Sequence, residues 1–306
     1  MNTVKADHYI NGILSKYNQD LGTHLGGDVI TIRSPIGFGL DDHVRLEIEQ
    51  LHEQTKRKRK LPKLIVLIET GGGYIEVVER LYNVFRKHYV LVDFIIPNFA
   101  YSAGTVLVLS GDAIYMDYYS VLGPIDPQFE ADGRYVPGLG YLQKFQELKD
   151  YINGSKGPPG SYKAELAYLL NKFDPAVLFH LEQAKNHSVS LLVNWLPRHK
   201  FKNWKVTRSR SKKVSPADRK SRAKQIGEIL SNPERWHSHG RGIGLRELTS
   251  NEINLKIDNF GEDGHLNKLI RQYYDLLIDY ATKIGCGGMK STVIHTRNGI
   301  RPIASQ

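Results

Sequence analysis

The sequence predicts an α/β fold built on a mainly parallel sheet. Three observations carry this: a continuous apolar run at Leu64 to Ile68, a switch to helical periodicity straight after the glycines at Gly71 to Gly73, and a repeat of that strand, turn and helix from Val90 onward. A run apolar at every position suits a strand covered on both faces. Short connections between alternating strands and helices call for right-handed crossovers.

Each element has a local reason. Asp28 to Arg33 (DVITIR) is a short β-branched strand, Pro35 to Gly39 a turn, and Asp41 and Asp42 begin a helix with Val44, Ile48 and Leu51 on one face. After Gly73, the residues Tyr74, Val77, Val78, Leu81, Val84 and Phe85 share one helical face, with Glu76, Glu79 and Arg80 opposite. The strand Val90 to Ile96, the turn Pro97 to Ser102, the helix Ala103 to Leu109 and the strand Ala113 to Met116 follow. Past Pro127 the chain is expected to be largely helical. Asp174 with Pro175 starts a helix to about Leu196, Ser215 with Pro216 starts another, Trp236 to Gly244 is a loop, and a final helix covers Leu266 to Thr282.

Composition narrows the classes. The 306 residues are 41% hydrophobic, enough for a full core. No signal-peptide pattern and no apolar run near the roughly 20 residues that span a bilayer is apparent, so a cytoplasmic protein is expected. Cys286 is the single cysteine, which excludes an intramolecular disulfide. The net charge of +10 is concentrated between Arg198 and Lys224, where twelve Lys and Arg face one acid, Asp218. This segment reads as a solvated insertion; its charge also suits contact with a membrane surface, nucleic acid or an acidic protein.

The chemistry concentrates between Ile68 and Gln128. Ser102 sits among small residues (AYSAGT) at the start of a helix, whose first N–H groups lack helical partners and lie at the positive end of its dipole. A serine nucleophile needs a sharp turn, a base, and backbone donors aimed at the oxyanion it creates. Glycines 71 to 73 let a second stretch of backbone come close. On the residues alone, a serine in such a small-residue turn is usually a helix cap.

The ordered set TGGG with its helix, AYSAGT and LGPIDPQ resembles the Clp-fold serine peptidases: the Clp protease proteolytic subunit, signal peptide peptidase A and, above all, the serine dehydrogenase proteinase family. The likeness covers Asp28 to Gln128 and returns weakly at RWHSHGRGIGLRELTSNEINLKI. It implies a ClpP/crotonase-like repeated ββα superhelix with a helical C-terminal extension. The expected layout is an N-terminal helical segment (1–27), a peptidase domain (28–260) carrying the basic insertion at about 198–224, and a C-terminal helix and tail (261–306). It also implies a serine endopeptidase with Ser102 as nucleophile, Gly72 and Ala103 N–H groups as the oxyanion hole, a peptide or protein substrate, a homo-oligomer, and no metal or other cofactor.

The base is where the sequence departs from the Clp proteolytic subunit. No histidine occupies SVLGPIDPQ, so a lysine base of the signal-peptide-peptidase kind is expected, with Lys144 first, between Leu142 and Phe145, and Lys149 and Lys156 as further candidates. His239 and Asp126 are the alternative base or orienting groups. His237 and His239 form an H-x-H pair without a nominated third metal ligand. Two other classes stay open: a crotonase-like acyl-CoA enzyme, for which no carboxylate or adenine site is marked, and a non-catalytic scaffold using the basic segment.

Overall fold

Helix α1 (Ala6–Leu25) leads into an alternation of β1 (Asp28–Arg33), α2 (Leu40–Glu53), β2 (Leu61–Glu69), α3 (Ile75–His88), β3 (Tyr89–Ile95), β4 (Phe99–Ala100), α4 (Ala103–Leu109), β5 (Ala113–Met116) and β6 (Val121–Leu122). The structure is a computed structural model describing residues 6–55, 59–131, 134–153, 168–207, 212–288 and 290–303. Strands β1, β2, β3 and β5 pair in parallel in the order β5-β3-β2-β1. The two faces of β2 explain its unbroken apolar run. Leu64, Val66 and Ile68 join the core that includes α2 and α3, whereas Ile65 and Leu67 join a second core with α1 on the opposite face.

Two of the long strands of the main sheet are each followed by a short strand in a second layer. Thus β3 is followed by β4, and β5 by β6; β4 and β6 pair in parallel, away from the main sheet. This two-strand repeat carries the turn before α4 over the C-terminal end of β2.

Beyond β6 the chain forms the hairpin β7 (Gln128–Ala131) and β8 (Arg134–Pro137), then α5 (Gly138–Ile152), α6 (Pro175–Arg198), α7 (Pro216–Leu230), α8 (Pro233–Trp236), β9 (Ile243–Gly244), α9 (Leu245–Thr249), β10 (Asp258–Asn259), α10 (Gly264–Lys283), β11 (Thr292–Thr296) and β12 (Gly299–Ile303). The region after Pro127 is therefore less helical than its sequence suggests. The C-terminal stretch differs too, because β11 pairs antiparallel with β1 and β12 with β11, extending the sheet beyond the last helix. Its strand character is masked by His295 and Thr296, which are polar yet fully buried, bonding Tyr273 and Glu47.

The basic segment is not a free loop. Phe201 and Val214 are buried, Trp204 packs on the main core, and α7 lies along α6. Several of its cations are spent internally: Lys202 pairs with Asp112, Arg219 donates to the Trp204 carbonyl, and Arg222 to the carbonyls of Glu252 and Ile253. Apolar residues spaced among the charges draw the segment onto the body. Residues 208–211 of it lie outside the described residues. Among the described residues no helix is long and apolar enough to cross a membrane.

Candidate active site

Ser102 stands between β4 and α4 with φ 52° and ψ −119°, a backbone conformation that costs a non-glycine residue about 1–3 kcal/mol. The surroundings hold it there. Every residue of α4 is buried, and Thr105 Oγ1 donates to the carbonyls of Ala100 and Gly123 at 2.9 and 2.8 Å. A serine at a helix start usually caps it, but the Ser102 side chain makes no capping bond. Its hydroxyl instead approaches the Asp126 carbonyl at 3.4 Å, longer than an ordinary O–H···O bond. A strained strand-to-helix turn that leaves a serine hydroxyl uncapped is a setting in which serine nucleophiles are also found.

The glycine turn packs directly on it. Gly72 has φ +98°, and a Cβ there would lie 2.8 Å from the Tyr101 carbonyl oxygen, 2.9 Å from Ser102 Cβ and 3.4 Å from the Ala103 nitrogen. Ile36 N–H donates to the Gly72 carbonyl at 2.8 Å, and Tyr74 N–H to the Ile36 carbonyl at 2.9 Å. The Gly72 N–H itself donates to Thr70 Oγ1 at 3.1 Å. This donor, expected at the oxyanion, is thus turned toward its own chain. In a trans peptide the next N–H points opposite the carbonyl, so the Gly73 N–H faces away from Ile36. Among the described residues neither the Gly73 nor the Ala103 N–H forms a hydrogen bond.

Three of the other nominated residues meet a cavity of about 690 Å³, lined by Asp126, Leu139, Tyr141, Lys144, Trp236 and His239 among others. Asp126 is buried, and its Oδ1 accepts the Leu139 N–H at 2.9 Å. Its Oδ2 lies 3.5 Å from His239 Nδ1, within ion-pair range though not aligned as a hydrogen bond; the His239 side chain is 14% exposed. Asp126 therefore touches Ser102 through its backbone and His239 through its side chain.

Lys144 has a different setting from the buried amine expected of a lysine base. Its side chain is 72% exposed and bonds Glu147 at 2.7 Å, which raises its pKa, the direction opposite to activation. Lys149 is exposed with its ammonium over the Phe145 ring, and Lys156 lies outside the described residues. His237 lines the same cavity, and no group of three or more metal-binding side chains forms among the described residues.

Sequence reasoning passed over the residues that bind the two turns together. Thr70 has its N–H on the Phe99 carbonyl at 3.2 Å and accepts the Tyr101 N–H at 3.0 Å. Glu69 is buried beside it, bonded by Arg33 at 2.9 Å, Asn98 at 3.0 Å and the Tyr274 hydroxyl. The only sequence signal was a charged residue closing an otherwise apolar strand.

The segment that holds both turns is also where the chain resembles known proteins. A family model for ClpP-like SDH-type serine proteinases matches residues 39–137, from the start of α2 to the end of β8. Over this segment the chain is similar to the ClpP-like SDH-type serine proteinases. Its ClpP-like fold accounts for the two-strand-plus-helix repeat. Two uncharacterized proteins of Methanocaldococcus jannaschii are similar: one is 32% identical over 120 residues, covering 37% of this chain and 42% of the relative, the other 30% identical over 119 residues, covering 38% and 39%. The chain thus spans about two-fifths of the length of these curated relatives. Among solved structures, the 1510-N membrane-bound stomatin-specific protease, as a serine-to-alanine mutant, aligns at 11% identity and a TM-score of 0.42 over 75% of this chain and 77% of that one. That likeness carries no weight for the site.

Proposed function

We propose that the protein is a serine peptidase with Ser102 as nucleophile, His239 as general base and Asp126 as the group that orients it. The observation that carries this reading is Asp126, in contact with the Ser102 hydroxyl on one side and the His239 ring on the other. Nδ1 lies 3.5 Å from the carboxylate, and once the two align as a hydrogen bond Nε2 is the nitrogen that takes the hydroxyl proton. Ser102 Oγ then bonds to the carbonyl carbon of a peptide, and the carbonyl oxygen becomes an oxyanion. The Ala103 and Gly73 N–H groups are the donors proposed to hold it, with the α4 N-terminus adding its dipole. Collapse breaks the C–N bond as His239 returns the proton to the leaving amine, and water, deprotonated by the same ring, hydrolyses the acyl-enzyme.

The exposure and raised pKa of Lys144 support a histidine over a lysine base. Treatment with a fluorophosphonate probe, read by intact mass, tests this. A single adduct is expected on the wild type and on Lys144→Ala, none on Ser102→Ala, and labelling slowed by about 10²-fold or more on His239→Ala. Loss of labelling in Lys144→Ala with none in His239→Ala would restore the lysine; no adduct on folded wild type would sink the peptidase reading.

A further inference from the structure

We propose that Thr70 is a positioning residue that sets the oxyanion turn against the nucleophile turn through the two branches of its side chain. The inference rests on the reading of Ser102 as the nucleophile. Thr70 is buried at the end of the approach between β2 and β4, where its backbone is bonded to Phe99 and Tyr101 on the nucleophile side. Its Oγ1 accepts the Gly72 N–H at 3.1 Å, on the glycine side. Its methyl carbon Cγ2 fills the space over α4 that a Cβ on Gly104 would occupy. One residue thus touches both turns, and each branch touches a different one.

The hydroxyl has a specific consequence. By taking up the Gly72 N–H, it closes a local turn of the kind Ser and Thr make with the N–H two residues on. The turn fixes the rotation of the Gly72–Gly73 peptide, whose carbonyl is held by Ile36 and whose N–H points the other way. Without that acceptor, Gly72 carries a buried N–H with no partner, and the turn rotates to satisfy it. The Gly73 donor moves with it. Glu69 cannot substitute, since its carboxylate is taken by Arg33, Asn98 and Tyr274, outside the pair of turns.

Two variants separate the branches: Thr70→Val keeps the shape and removes the acceptor, while Thr70→Ser keeps the acceptor and removes the methyl. Phosphonylation by the fluorophosphonate probe, measured against probe concentration, gives kinact and KI separately, and hydrogen exchange reports the Gly72 amide without reference to catalysis. In Thr70→Val, kinact is expected to fall about tenfold or more with KI unchanged, and the Gly72 amide to exchange faster. Thr70→Ser is expected to keep kinact within about threefold of wild type and to leave Gly72 protected. Leu51→Ala, a core cavity that touches neither turn, is the control for stability alone: it lowers the melting temperature and leaves kinact unchanged. Equal losses in Thr70→Ser and Thr70→Val would overturn the role of the hydroxyl. A labelled wild type whose kinact and Gly72 exchange are unchanged in Thr70→Val would overturn the inference alone. Wild type that takes no adduct, or Ser102→Ala that still takes one, would remove the nucleophile reading and this inference with it.

Discussion

Replacing Gly72 by alanine tests the contact between the two turns. At φ +98° an alanine is strained by about 1–2 kcal/mol, because its Cβ crowds the backbone. That Cβ would also lie 2.8 Å from the Tyr101 carbonyl oxygen and 2.9 Å from Ser102 Cβ, inside van der Waals contact with backbone on one side and the nucleophile on the other. Neither neighbour is the free end of a flexible chain, so relief requires the turns to separate, at about 1–3 kcal/mol more. The reduced freedom of the unfolded chain returns about 0.4–1 kcal/mol. The net loss is about 2–4 kcal/mol, or roughly 3–6 °C in melting temperature for a chain of this size. Gly71→Ala is the internal control, because a Cβ there meets nothing within 4 Å and its φ is not in the left-handed region. Thermal unfolding of both variants, with probe labelling at a temperature where both are folded, reads stability and site geometry together. Gly72→Ala is expected to lose more labelling than its stability explains, and Gly71→Ala to stay within about 0.5 kcal/mol of wild type. Equal stability of the two variants would refute the reasoning.

Stability should also fall in mild acid. Burial lowers the pKa of His295 to about 3 and that of His199 to about 4, so from pH 6.5 downward the unfolded chain takes up protons that the folded one does not. The contribution is full above pH 6.5 and lost as pH falls toward 3; urea unfolding at pH 7 and 4.5 should differ by on the order of 2 kcal/mol more in wild type than in His295→Gln. The buried Arg33–Glu69 pair is expected to be costly to break from one side only. Glu69→Ala leaves the Arg33 guanidinium with carbonyl partners alone and should lower stability by about 3–5 kcal/mol in thermal unfolding, a loss under 1 kcal/mol showing that the pair is not closed in solution.

The alternation of elements was readable because each obeys a local rule. DVITIR and LIVLI are strands by composition, the face of α3 repeats at helical spacing, and Asp174 and Ser215 do cap their helices. Local rules failed where polar residues are buried by distant partners. His295 and Thr296 hid β11, and Phe201, Trp204 and Val214 were too few among the lysines to mark the basic segment as packed.

The candidate site divides in the same way. Sequence by itself determined the glycine turn after β2 and the serine turn after β4, since unusual backbone conformations and close approaches demand small residues at fixed places in the chain. Tertiary structure alone decided what faces those turns. Lys144 lies beside Phe145 and two residues after Leu142, yet the docking of α5 leaves its amine in water beside Glu147. Asp126 and His239 come together from remote segments, and Thr70 reaches both turns only because β2 and β4 lie side by side. Short-range sterics are written residue by residue. The desolvation of an amine and the meeting of a carboxylate with an imidazole depend on which surfaces the folded chain brings into contact.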